Sequence, residues 1–176
     1  MSEEEISNTA RTPGPSLLVP LSLAFTAIAA IGATAAAVAS LQLGWAPWAM
    51  FIGWVAYFTR PTSWREGAAT GLCLWLGIVM GALATLALGA MMPVAGNPAL
   101  ALGLVVFPVA FLVVSMRMIP GVDNLLAWFL GMIAFFAAHP ELSIIAILEL
   151  GGAGSLGILT GRLVQVAQAR LLPHPA

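Results

Sequence analysis

Long apolar runs separated by short polar joints make up most of the chain. Four runs are long, at residues 17–41, 67–89, 98–116 and 142–164. Each approaches the roughly 20 residues that a helix needs to cross about 30 Å of hydrocarbon. Two shorter runs, residues 45–58 and 125–138, lie between them. Each would make about 21 Å of helix at about 1.5 Å per residue, so each alone suits a re-entrant or tilted segment as well as a span. The pattern predicts an all-α, polytopic membrane protein. Its units are a disordered cytoplasmic tail (1–16), a first three-helix unit (17–89), a second three-helix unit (98–164) and a cytoplasmic C-terminal tail (165–176).

Charge turns six runs into six crossings. If all six cross, the N-terminus, the 59–66 loop, the 117–124 loop and the C-terminus share one side. That side then holds Arg11, Arg60, Arg65, Arg117, Arg162 and Arg170, every Lys or Arg in the chain. Basic residues are retained on the cytoplasmic side during insertion, so both termini are expected there. Ala37-Val38-Ala39 before Ser40 resembles a signal-peptidase site, but a cleavable signal wants a basic n-region and a shorter apolar core. Here Glu3, Glu4 and Glu5 precede a much longer run, and the first helix is expected to be retained.

Composition removes other classes. Apolar residues make up 61% of the chain and charged residues 7%, with mean hydropathy +1.02. Ordinary soluble domains carry about 45–50% and about 25%. So few polar groups cannot coat a water-facing globule, and a soluble enzyme or nucleic-acid binder is excluded. Cys73 is the single cysteine, which rules out an intrachain disulfide; in an apolar run it reads as packing.

The two short runs resemble each other. Ala49, Phe51, Gly53, Ala56 and Phe58 recur as Ala127, Phe129, Gly131, Ala134 and Phe136. The following helices match too: Leu76, Gly77, Ile78, Gly81 and Leu83 recur as Leu156, Gly157, Ile158, Gly161 and Leu163. A duplicated unit of three crossings must enter the membrane the second time in the opposite sense. The expected architecture is therefore two inverted three-helix repeats, the second helix of each short. This is the plan of many channels and secondary transporters, whose solute sites lie near mid-membrane where the repeats meet. Small residues let neighbouring backbones approach closely, so Gly53, Gly77, Gly81, Gly131, Gly157 and Gly161 are expected at helix contacts, within or between subunits.

The residues Trp48, Ala49, Phe51, Gly53, Ala56, Tyr57 and Phe58, with Phe129, Gly131, Ala134, Phe136 and Ala137 in the second half, resemble the domain of unknown function 1097 family. The resemblance covers residues 41–164 and implies a small bacterial inner-membrane protein. It supplies neither substrate nor catalytic residues.

Glu149 is the sharpest chemical candidate. It lies about 10 Å along its helix from Leu142, at about 1.5 Å per residue. Acids at such depth face a bundle interior or a wet cavity, for solute binding, proton relay or an interhelical bond. Thr70 is its approximate counterpart in the first half. Phe51, Trp54, Trp128, Phe129 and Phe135 are candidates to line an apolar constriction, ordinary packing being the alternative. Asp123 and Asn124 precede the second short helix and are candidate caps. His139 and His174 have no metal-ligand partner at helical spacing, and no phosphate loop or nucleophile motif occurs. No cofactor, metal or catalytic set is expected. The expectation is a non-enzymatic channel or small transporter for a small, mainly uncharged solute. At 18.2 kDa such a chain is expected to work as a homo-oligomer in the lipid bilayer, without nucleic acid. The alternative is a non-transporting membrane scaffold or partner subunit.

Overall fold

The computed structural model describes residues 15–60 and 63–171, with the side chains of 15–19 left aside. Arg11, His174, most of the expected N-terminal tail and the last five residues of the expected C-terminal tail lie outside the described residues. Six α-helices follow in order: α1 (Pro15–Gln42), α2 (Pro47–Tyr57), α3 (Trp64–Ala95), α4 (Pro98–Ser115), α5 (Leu125–Ala138) and α6 (Ile144–Ala169), with a 3-10 turn at Met116–Met118. No strand occurs among the described residues. Helices α1, α3, α4 (with its 3-10 extension) and α6 are each long and apolar enough to cross a bilayer. The α6 helix continues five residues past Val164, into the stretch expected to be a tail.

Local chemistry explains the boundaries. Proline opens α2 and α4, where its missing N–H costs nothing. Ser63, Asn97, Asn124 and Ser143 cap α3, α4, α5 and α6, each accepting from a first-turn N–H. Of the two candidate caps of α5, Asn124 takes the role and Asp123 turns outward to Arg60, 2.9 Å away. The α2 helix has 11 residues, shorter than the run of 14 that suggested it. Pro47 sets its start and Ala46 supplies no capping side chain.

Packing pairs each short helix with the long last helix of the other half. The most extensive contacts are α3 with α5 and α2 with α6. Glycine makes these possible. A Cβ on Gly77 would strike the Trp128 carbonyl, and one on Gly131 the Leu74 carbonyl. In the other pair, a Cβ on Gly53 would strike the Gly154 backbone, and one on Gly157 the Met50 carbonyl. Gly81 faces Phe135 as Gly161 faces Tyr57. All six glycines expected at helix contacts are thus used within one chain.

The same contacts give helix directions. Along α3 and α5, Thr70 meets Asn124, Gly77 meets Trp128, and Gly81 meets Phe135. Both numbers rise, so the two run the same way. Along α2 and α6, Gly53 meets Gly154 and Tyr57 meets Gly161, again the same way. Between α3 and α6 the order reverses: Trp75 meets Gly151, Leu74 meets Gly154, and Gly71 meets Ile158. The two short helices, α2 and α5, therefore run in opposite directions.

The centre is closely packed. Met50, Leu74, Cys73, Ala153 and Ala127 are at most 1% exposed, and among the described residues no buried side-chain nitrogen or oxygen lacks a partner. Helices α1 and α4 lie at the periphery, α1 against α6 and α4 against α3.

Candidate functional site

The bundle has two chemically unlike ends. At one end lie the C-termini of α2, α4 and α6 and the N-termini of α3 and α5. Arg60, Arg65, Arg117 and Arg170 sit in or next to these termini, and Arg162 lies about two turns inside the C-terminus of α6. The opposite end carries the turns at 43–46, 96–97 and 139–143, which contain no Arg.

At the arginine end a buried carboxamide ties three elements together. Asn124 is 5% exposed. Its Oδ1 accepts from the Ala127 N–H, capping α5, while its Nδ2 donates to Thr59 Oγ1 at 2.8 Å and to Thr70 Oγ1 at 3.0 Å. Both amide hydrogens and the carbonyl are used, which is what a buried Asn requires. Thr59 in turn donates to the Ala56 carbonyl, at the end of α2. Outside this cluster Arg60 bridges Asp123 at 2.9 Å and Glu66 at 3.8 Å. The Arg60 guanidinium, bonded to Asp123, holds that carboxyl below the usual aspartate range.

At the other end a cleft of about 340 Å³ opens between the α1–α2 turn, the end of α5 and the start of α6. Glu149 lines it together with Ala46, Trp48, Ala137, Ala138 and Leu150. Glu149 is exposed, and its carboxylate makes no hydrogen bond or ion pair among the described residues. Of the two settings expected for this acid, the structure supplies the cavity and not the bundle interior. Leu150, in the same turn of α6, is buried in the core, so Glu149 is on the outward side of that turn.

The remaining sequence candidates do not converge on one path. Thr70 is fully buried in the Asn124 cluster. On the α3–α6 register it stands about 13 Å along the axis from Glu149, at about 1.5 Å per residue. Trp128 and Phe135 are 3% and 2% exposed and belong to the core, with Trp128 Nε1 donating to the Val122 carbonyl. Phe51 and Phe129 point outward and Trp54 is half-buried. His139 has a left-handed backbone at the C-terminus of α5. Among the described residues no three His, Cys, Asp or Glu side chains gather as metal ligands.

Sequence reading missed the partners of Asn124. Thr59 and Thr70 are 65 and 54 residues away, and nothing in a linear pattern links them. It also missed two interhelical bonds, Trp75 Nε1 to Ser155 Oγ at 3.0 Å and Tyr57 Oη to Gln165 Oε1 at 2.6 Å. A second cleft, of about 200 Å³, lies between α3 and α6 near Ser63, Gly67, Ser155 and Arg162.

Four long apolar helices around a glycine-packed interior make this a multi-pass integral membrane protein. Comparison with known families agrees with the motif resemblance. Residues 23–171 match the family described as "Protein of unknown function (DUF1097)", and the chain belongs to it. No curated protein and no solved structure matches the chain.

Proposed function

We propose that the protein is a channel or small transporter for a small, mainly uncharged solute, built as two inverted three-helix repeats. The observation that carries this reading is the opposed direction of α2 and α5, each seated by glycines on the last helix of the other half. Matching positions make matching contacts: Gly77 with Trp128 answers Gly157 with Met50, and Gly81 with Phe135 answers Gly161 with Tyr57. Trp75 and Ser155, equivalent positions in the two halves, bond each other, as two residues beside a two-fold axis would. Such a plan is shared by many channels and secondary transporters. The Glu149 cleft is then a vestibule on one side, and the packed centre shuts the path beyond it.

The arginine end is cytoplasmic in this reading, following the insertion bias of basic residues, in a bacterial inner membrane. The protein works as a homo-oligomer with its peripheral helices, α1 and α4, available to lipid or to a second copy. No catalytic chemistry is assigned to it.

A second reading, a membrane scaffold or partner subunit, draws on the closely packed centre. It is weakened by the glycine faces, which are occupied inside the chain and not offered to a partner. Purified protein in liposomes separates the two. Transport gives solute-driven swelling faster than in empty liposomes, by stopped-flow light scattering, with a changed rate in Glu149→Gln. A broad panel of small solutes with no flux above the empty control leaves the scaffold.

A further inference from the structure

The two ends of the bundle correspond position by position. Matching α2 to α5 requires an offset of 78 residues, and matching α3 to α6 an offset of 80. The pairs Gly53/Gly131, Tyr57/Phe135, Gly77/Gly157 and Gly81/Gly161 fall on those offsets and make equivalent contacts. On the same offsets Asn124 corresponds to Ala46, Thr59 to Ala137, Arg60 to Ala138 and Thr70 to Leu150. The counterpart of Thr70 is thus Leu150 and not Glu149. Ala46, Ala137, Ala138 and Leu150 all line the Glu149 cleft. The open cleft and the hydrogen-bonded cluster are therefore the same structural position, seen once in each half.

We propose that the Asn124–Thr59–Thr70 cluster is a closed gate and that the Glu149 cleft is its open equivalent, so that the described conformation is open away from the arginines. This deepens the transport reading and rests on it for its purpose. Where one half has three small apolar residues and a leucine, the other has polar groups that pull the start of α5 onto α3 and onto the α2–α3 turn. Opening that end as the other end is open would require Nδ2 of Asn124 to leave both threonines. Arg60 would also separate from Asp123, an exposed pair that adds little. Two neutral hydrogen bonds are modest in net strength, which suits a contact that must break and re-form. Hinged exchange between two such arrangements is the motion expected of inverted repeats.

Cys73, the chain's own and only cysteine, reports on the gate. It lies one turn along α3 from Thr70 and is fully buried. The test labels full-length protein in sealed vesicles with a sulfonated maleimide that cannot cross lipid, applied to each face separately. In the native protein labelling is slow from both faces. Asn124→Ala, and Thr59→Val, which keeps the α5 cap, should each accelerate it about tenfold, the scale of one or two lost hydrogen bonds, from the arginine face alone. Unchanged labelling in both variants overturns the gate, as does equal acceleration from both faces, which marks general loosening. Should Asn124→Ala fail to fold, Thr59→Val decides. Solute flux in the same vesicles separates the two claims. Flux in the native protein with unchanged labelling sinks only the gate. One-sided acceleration without flux in any form sinks only the transport reading.

Discussion

In the proposed repeat, the arginine end and the Glu149 end of this bundle are equivalent positions that carry different side chains. At one, a buried carboxamide satisfies its two donors on threonines of other elements and its acceptor on a helix N-terminus. At the other, the equivalent positions hold Ala46, Ala137 and Leu150, and a cleft remains. The glycine contacts between the ends are nearly alike in the two halves. If the gate proposal holds, backbone packing sets which helices pair, while a few side chains decide which end of the assembly is shut.

The largest effects should come from the shared backbone contacts. Gly77→Ala and Gly157→Ala each force a Cβ into a neighbouring carbonyl. Each should cost well over about 3 kcal/mol, the upper range of ordinary overpacking, read as lost monodisperse protein or a collapsed Tm. Gly89→Ala and Gly103→Ala, with nothing within 4 Å of the added carbon, should be neutral or slightly stabilising. Unequal losses at Gly77 and Gly157 would break the equivalence of the halves.

Next in size is the comparison of the two caps. Asn124→Ala removes a helix cap and leaves two threonine hydroxyls short of a donor, a loss of about 2–4 kcal/mol in thermal or denaturant unfolding. Ala46, which gives α2 no capping side chain, invites the reverse change. Ala46→Ser should stabilise by about 0.5–1 kcal/mol. A destabilising serine would mean that the small apolar residue at the open end is required by packing.

Trp75→Phe and Ser155→Ala should each cost about 1 kcal/mol. The double variant should cost little more than either, since both remove the same bond. Full additivity would place that contact outside the folded interface.

The smallest effect concerns pH. The Asp123 pKa is lowered by Arg60, so its contribution is present at neutral pH and is lost only as pH falls through a value below 3.8. Cys73 labelling should therefore be independent of this pair from about pH 8 to about pH 5, once the reagent's own pH dependence is removed with a reference thiol. A one-sided rise within that range would assign the arginine end a different proton-sensitive group.

Much of the helical plan was legible because its signals are local. Apolar run length located α1, α3, α4, α5 and α6. Element ends were less legible: α3 runs to Ala95 and α6 to Ala169, because apolar content falls before backbone hydrogen bonding stops. The site was least legible. Glu149 stood out as an acid in an apolar run, yet its exposure depends on where α1, α5 and α6 end relative to one another. The aromatics Trp128 and Phe135 looked equivalent to Phe51 and Phe129, and only helix rotation separates the buried pair from the exposed one.

By itself the sequence determined that the chain belongs in lipid, that it is helical, and that its basic residues gather at particular joints. Each follows from transfer free energy or from charge counted along a line. Tertiary structure alone decided that each short helix seats on the other half's last helix, and that Asn124 reaches Thr59 and Thr70. Those outcomes depend on where glycine lets two backbones touch, a property of pairs of distant surfaces that no single segment encodes.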